Sequence, residues 1–156
     1  MNKVVSMGDM VPLMKEKLEM NGKVSFTPKG NSMLPMLHSN IDSVTLQSVR
    51  EPISKYAVVL YCRDNGNYVL HRIVGKDSDG YIFRGDNQFW KEYGIREDQM
   101  IGVVTSFVRN KKEHRCDEFR YRVYCVLWVH TVGIRRNYRK IRRFAGRIKR
   151  KILGAV

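Results

Sequence analysis

Ala57-Val58-Val59-Leu60-Tyr61, then Asp64-Asn65-Gly66-Asn67, then Tyr68-Val69-Leu70-His71-Arg72-Ile73-Val74 follow one another in the middle of the chain. The outer runs are apolar and rich in β-branched and aromatic residues, and the polar segment between them is a turn signal. The stretch therefore predicts a β-hairpin, the seed of an antiparallel sheet. Outwards from it, Val24-Ser25-Phe26 and Ser43-Val44-Thr45-Leu46 alternate, Asp77-Ser78-Asp79-Gly80 turns into Tyr81-Ile82-Phe83, and Ile101 to Val108 reads as a last strand. Several short strands joined by polar turns predict a small antiparallel β domain. Asp9 to Met20 predicts a short amphipathic helix capped by Asp9, with Val11, Met14 and Leu18 on one face and Asn21-Gly22 closing it. The expected fold class is mainly β, with a short N-terminal helix and a basic helical tail.

The 156 residues suit one domain with a core of its own, and 43% apolar content excludes a disordered chain. A net charge of +14 points to an anionic partner. That charge is unevenly placed. Residues 1–118 hold 17 Lys+Arg and all 15 Asp+Glu, leaving +2, whereas residues 119–156 hold 12 basic residues and no acid. The split excludes a uniformly basic protein of the histone or ribosomal kind. It divides the chain into a domain over 1–110 and a basic amphipathic tail over 111–156. Along the tail Val123, Leu127, Ile134, Tyr138, Ile141, Ala145, Ile148 and Ile152 form one helical stripe, with Gly133 and Gly146 as points of bending. Such a helix lies on anionic lipid, holds nucleic acid, or docks its stripe on the β domain. Nucleic acid is the less favoured partner, since no nucleic-acid motif accompanies the cations.

Three cysteines (Cys62, Cys116, Cys125) without a repeated spacing do not suggest a disulfide framework. His114, Cys116, Cys125 and His130 fit no standard zinc spacing, so neither metal nor cofactor is expected. No secretory signal opens the chain, and the most apolar run, Val123 to Ile134, is too short to span a bilayer. A cytoplasmic protein is expected, peripheral at the membrane face if the tail binds lipid.

Three segments carry chemistry together: Gly30-Asn31-Ser32-Met33-Leu34-Pro35, His71-Arg72-Ile73-Val74, and Gly85-Asp86-Asn87 followed six residues after Asp86 by Glu92. Singly, Ser32 is an ordinary turn serine, His71 a core histidine on the face of Val69 and Ile73, and Gly85-Asp86-Asn87 a hairpin turn. Jointly they supply a hydroxyl nucleophile, a base to take its proton and an acid to fix the base's tautomer. Burial would favour the neutral imidazole that a general base requires.

With those motifs in that order, the chain resembles the signal-peptidase and SOS-repressor superfamily of serine peptidases. Gly30-Asn31-Ser32-Met33-Leu34-Pro35 is similar to the superfamily's Gly-x-Ser-Met-x-Pro nucleophile segment. His71-Arg72-Ile73 is similar to the histidine branch, the archaeal and endoplasmic-reticulum signal peptidases, where bacterial relatives carry lysine. Gly85-Asp86-Asn87 and the strand Ile101-Gly102-Val103-Val104 also match, so the resemblance covers about residues 23–108. It implies Ser32 as nucleophile, His71 as general base, Asp86 and Glu92 sharing the acidic role, and the Ser32 N–H in an oxyanion hole. Glu92 stands where the branch often has aspartate. Lys55-Tyr56-Ala57 replaces a Gly-Asp turn, a change expected to have no catalytic consequence.

Neither the spanning helix of a signal peptidase nor a repressor's helix-turn-helix is expected, since no apolar run is long enough and about 22 residues precede the first strand. The expected function is a stand-alone serine endopeptidase acting on a leader, signal-like or precursor peptide, with activity rising with pH through the histidine range, about 6–7. The alternatives are a catalytically inactive accessory module on the same fold and a nucleic-acid-binding protein built on the tail.

Overall fold

The computed structural model describes residues 7–153, with side chains as far as residue 148. Helix α1 (Met7–Glu19) is followed by β1 (Val24–Phe26), β2 (Ser43–Gln47), β3 (Val58–Cys62), β4 (Tyr68–Asp77), β5 (Gly80–Arg84) and β6 (Glu92–Ile95). A 3-10 turn (Glu97–Gln99) leads into β7 (Met100–Arg109), β8 (Lys112–Arg115), α2 (Phe119–His130) and α3 (Val132–Leu153). All eight strands join one antiparallel sheet in the order β1-β2-β7-β3-β4-β5-β6, with β8 paired to β7.

The central hairpin is β3–β4, with Val59 opposite His71 and Tyr61 opposite Val69. Strand β3 is apolar at successive positions because both of its faces are covered. Val58 and Leu60 enter one cluster with Val44, Leu46, Val104 and Phe107, closed over by Val11, Met14 and Leu18 of α1. Val59 and Tyr61 enter a second cluster with Ile73, Tyr81, Phe83 and Ile95. A strand buried on both faces loses the clean apolar–polar alternation of a half-exposed one. Asp9 lies within the first turn of α1, where a negative charge suits the helix dipole, and not at the expected capping position.

Two strands were not expected. Strand β6 pairs with β5, and β8, a charged Lys-Glu-His-Arg segment, pairs with β7. The division expected after residue 110 falls inside the β7–β8 turn. Asn110 (φ 51°) and Lys111 (φ 62°) form this two-residue turn with positive φ at both positions, which matches the twist of the flanking strands. The sheet therefore continues to Arg115.

The tail consists of two helices separated at Thr131, whose hydroxyl donates to the Leu127 carbonyl at 2.7 Å. Helix α2 docks through a face other than the expected stripe. Cys125 is buried and Tyr121, Tyr124 and Trp128 are half-buried, whereas Val123 and Leu127 are exposed. In α3, Ile134, Tyr138, Ile141 and Ile148 face solvent as well. Docking of the stripe on the β domain is thus corrected: the aromatic residues of α2 make that contact. The side chain of Ile152, the stripe's last residue, lies outside the described ones.

Candidate active site

Ser32 lies in the long loop between β1 and β2. Met33, Met36 and Leu37 bury into the first core cluster and fix the loop from below, while Asn31 is exposed and Ser32 and Pro35 are half-buried. Gly30 has φ +100°, a conformation that L side chains avoid, and its N–H donates to Ser39 Oγ at 2.9 Å. Asp42, itself buried, accepts from the His38 N–H at 2.7 Å and from His38 Nδ1 at 2.9 Å, closing the loop's far end. Among the described residues the Ser32 N–H donates to no acceptor.

The loop is clipped to the Gly85-Asp86-Asn87 turn. The Asn87 N–H donates to the Ser32 carbonyl at 2.7 Å, and Asn87 Nδ2 donates to the Asn31 carbonyl at 3.0 Å. Gly85 is required by this approach, since a Cβ there would stand 2.8 Å from the Ser32 carbonyl oxygen. The turn directly follows Arg84, which is opposite Arg72, the neighbour of His71 on β4. The Ser32 segment and the histidine strand are thus tied through the Gly85-Asp86-Asn87 turn.

His71 is 1% exposed and projects from β4 towards the second cluster. Its Nδ1 lies 3.2 Å from Tyr61 Oη and 3.1 Å from Glu92 Oε1, while the Tyr61 hydroxyl donates to Glu92 Oε2 at 2.8 Å. Since the phenol's single proton goes to the carboxylate, Nδ1 carries a hydrogen and donates to Tyr61 Oη. Nε2 is left with its lone pair. Arg63 braces Glu92 from the other side, through Nε at 2.7 Å and through Nη2 to Oε1.

The electrostatics keep each group in one protonation state. Burial pushes the His71 pKa down from 6.5 to about 4, outweighing the nearby Glu92 charge, so the ring is neutral near pH 7. Burial pushes the Glu92 carboxyl up, but hydrogen bonds from Arg63 and Tyr61 and the neighbouring His71 carry it below its ordinary value, so it is ionised. Burial together with Glu92 raises the Tyr61 phenol, which stays protonated. The titration of His71 thereby lies at about 4, below the ordinary histidine range of about 6–7, because a side chain removed from water resists taking up charge.

The two acids do not share one role. Glu92 contacts the His71 ring, whereas Asp86 is buried against Arg72, accepting from Nε and Nη2 at 2.7 Å each. Arg72 is 0% exposed and also donates through Nη1 to the Tyr56 carbonyl (2.9 Å), Tyr121 Oη (3.1 Å) and Cys125 Sγ (2.9 Å). The Lys55-Tyr56-Ala57 turn is therefore part of the support of this ion pair. Tyr124 and Trp128 donate to Asp86, through the hydroxyl to Oδ2 at 3.3 Å and through Nε1 to the carbonyl at 2.9 Å. Arg84 reaches the Val129 carbonyl in the last turn of α2 at 3.2 Å, where helix carbonyls attract a cation.

No hydrogen bond joins the Ser32 hydroxyl to the His71 ring among the described residues. A cleft of about 930 Å³ beside Tyr56, Cys116 and Tyr121 contains none of Ser32, His71 or Glu92. Among the described residues no group of three or more His, Cys, Asp or Glu side chains is placed to hold a metal ion. No helix of the described residues is long and apolar enough to cross a membrane. Tyr61 and Arg63 are the participants not singled out from the sequence. Alternation did carry a signal for Tyr61, two residues from Val59 and so on the face of Val59's partner His71. Arg63 lies in the turn after β3, where no periodicity applies.

Comparison with protein-family models, with curated proteins and with solved structures finds no match for this chain.

Proposed function

We propose that the protein is a serine endopeptidase of the signal-peptidase type, cleaving a leader, signal-like or precursor peptide with Ser32 as nucleophile, His71 as general base and Glu92 as orienting acid. The observation that carries this reading is the His71–Tyr61–Glu92 arrangement, which keeps the imidazole neutral with its proton on Nδ1 and Nε2 free to accept. The resemblance of four ordered segments to that superfamily supports it.

In the reaction the Ser32 hydroxyl passes its proton to His71 Nε2 as Oγ bonds to the scissile carbonyl carbon. The carbonyl oxygen takes up the negative charge, and the uncommitted Ser32 N–H is a donor for it. Breakage of the C–N bond releases the amine, which receives the proton from Nε2. Water then attacks the acyl-Ser32 ester with His71 again accepting the proton, and the ester bond breaks to restore the serine. Glu92 stays ionised throughout and stabilises the imidazolium that forms between the two transfers.

The absence of a direct Ser32–His71 hydrogen bond favours one rival, a catalytically inactive module on the same fold. Mass spectrometry of a peptide library incubated with the full chain separates the two. Cleavage by the wild type that falls about 10⁴-fold in Ser32→Ala and His71→Gln is the expected result. Equal cleavage by wild type and Ser32→Ala removes Ser32 from the mechanism, and no cleavage by the wild type favours the inactive module.

A further inference from the structure

Helix α3 presents two separate faces. On one, Arg135 Nη1 donates to the Asp86 carbonyl at 3.2 Å, and Arg139 donates to the Asn87 carbonyl at 3.4 Å and to Asn87 Oδ1. Arg135 also lies over the Trp128 ring at 3.6 Å, and Arg139 over the Phe89 ring at 4.9 Å. This face is seated on the turn that clips the Ser32 loop. On the other face Ile134, Tyr138, Ile141 and Ile148 recur at helical spacing with Phe144 at the edge, each between 42% and 71% exposed. At 3.6 residues per turn, Arg135 and Arg139 stand about 100–140° round the axis from Ile134. The apolar face is therefore exposed while Arg135 and Arg139 are docked, and Lys140, Arg142, Arg143 and Arg147 are exposed as well.

Charge decides what covers the apolar face. Ten of the 22 residues of α3 are Lys or Arg and none is acidic. A second copy packed along the stripe would set cations against cations on both flanks of the seam, with no acid to answer them. Nucleic acid would satisfy the cations and leave Ile134, Tyr138, Ile141, Phe144 and Ile148 in water. An anionic bilayer accepts both, the stripe among acyl chains and the Arg and Lys side chains at the headgroups.

We propose, resting on the peptidase reading, that α3 seats the protein on an anionic bilayer through this stripe. The seat holds the Ser32 site beside the surface, because the same helix grips residues 86 and 87. The substrate class is accordingly a peptide lying at a bilayer surface.

Binding is tested with full-length Ser32→Ala, which needs no activity, by sedimentation with vesicles of phosphatidylcholine alone or mixed with phosphatidylserine. Expected is binding to the mixed vesicles only, released by high salt as screening shortens. Ile134→Gln with Ile141→Gln keeps a good helix former at each site and should weaken that binding at least about tenfold. The same double variant should still bind duplex DNA as well as its parent. Replacing Arg142, Arg143 and Arg147 by Gln should abolish the preference for phosphatidylserine. Equal binding to both vesicle types, unchanged binding by the isoleucine variant, or a lipid-free dimer lost in that variant would each overturn the proposal.

Wild-type protein should cleave a vesicle-anchored peptide about tenfold faster than the same peptide in solution, an advantage lost with the isoleucine pair. Cleavage in solution without sedimentation defeats the bilayer seat alone. Sedimentation without any cleavage defeats the peptidase reading and leaves the seat standing.

Discussion

Burial of His71 makes stability, and under the proposed peptidase reading activity, depend on pH in a specific window. In the unfolded chain the ring takes its proton at about 6.5, and in the folded chain only at about 4. Between those values the unfolded chain holds more protons, so stability falls as pH drops from 6.5 towards 4. At about 1.4 kcal/mol for each tenfold change in proton affinity, the loss comes to about 3 kcal/mol. Above 6.5 the ring is neutral in both states and contributes no further change. Glu92, held below its ordinary 4.5, adds its own loss only at lower pH. The assay is two-dimensional NMR of the four histidines with pH, together with urea unfolding of wild type and His71→Gln at pH 7 and at pH 4.5. One imidazole, absent from the His71→Gln spectrum, should titrate near 4. The wild type should lose about 2–3 kcal/mol more than the variant between the two pH values. kcat/KM should stay level from pH 5.5 to 8 as far as His71 is concerned, and fall through about 4. A His71 resonance titrating at 6–7, or parallel stability losses in the two proteins, refutes the burial reasoning.

Further substitutions separate the acids and their supports. Glu92→Gln should lower kcat about 10³–10⁴-fold with the fold retained by circular dichroism, since it frees the His71 tautomer and removes the charge facing the imidazolium. Asp86→Asn should instead destabilise by about 3–5 kcal/mol in urea unfolding, because it leaves the Arg72 guanidinium buried without its counter-charge. Tyr61→Phe removes the hydroxyl between Nδ1 and Glu92. It should lower kcat about tenfold for about 1 kcal/mol of stability, with KM unchanged in steady-state assays. Gly85→Ala places a methyl 2.8 Å from the Ser32 carbonyl. It should lower thermal stability by about 1–3 kcal/mol and reduce cleavage, because the nucleophile loop must shift.

The sheet was legible wherever one physical rule governed a segment. The Asn65-Gly66 turn, the β-branched runs around it and the alternation of β2 gave the hairpin and its neighbours, and the helical spacing of Val11, Met14 and Leu18 gave the buried face of α1. Strand β8 was not legible, because a Lys-Glu-His-Arg edge strand buries no side chain and owes its existence to the two-residue turn at Asn110–Lys111. Strand β6 was hidden likewise, with only Ile95 buried and Gly94 at φ +67° within four residues. In the tail, the apolar stripe is present, and of the three readings left open for it only docking on the β domain conflicts with its exposure. Periodicity identifies a face without saying what the face meets, and the docked face of α2 is aromatic and hydrogen-bonding. At the site, the motif residues were readable by type and order. The partition between Asp86 and Glu92 was not, since it depends on where β5 and β6 run.

That partition follows from the alternation of a strand. His71 and Arg72 are consecutive on β4, so their side chains leave opposite faces of the sheet. His71 shares its side with Tyr61, whose ring packs tilted against Phe83 at 4.6 Å between centroids, and Glu92 is Phe83's partner across β5 and β6. The acid that begins β6 is thereby delivered to the histidine. Arg72 emerges on the side of Met36 and Cys125, where Asp86, beyond the end of β5, turns back to meet it. One acid cannot serve both faces, and the six-residue spacing lets each face have its own. A fully buried guanidinium needs further acceptors than one carboxylate offers, and Tyr121 and Cys125 of α2 supply them. Helix α2 is accordingly bound to the domain by the chemistry of Arg72. Among the described side chains, the cations from Lys140 to Arg147 have no such inward partner, since residues 140–148 are all exposed. The positive charge of α3 thus divides: Arg135 and Arg139 face the turn that clips the Ser32 loop, and Lys140, Arg142, Arg143 and Arg147 face outwards.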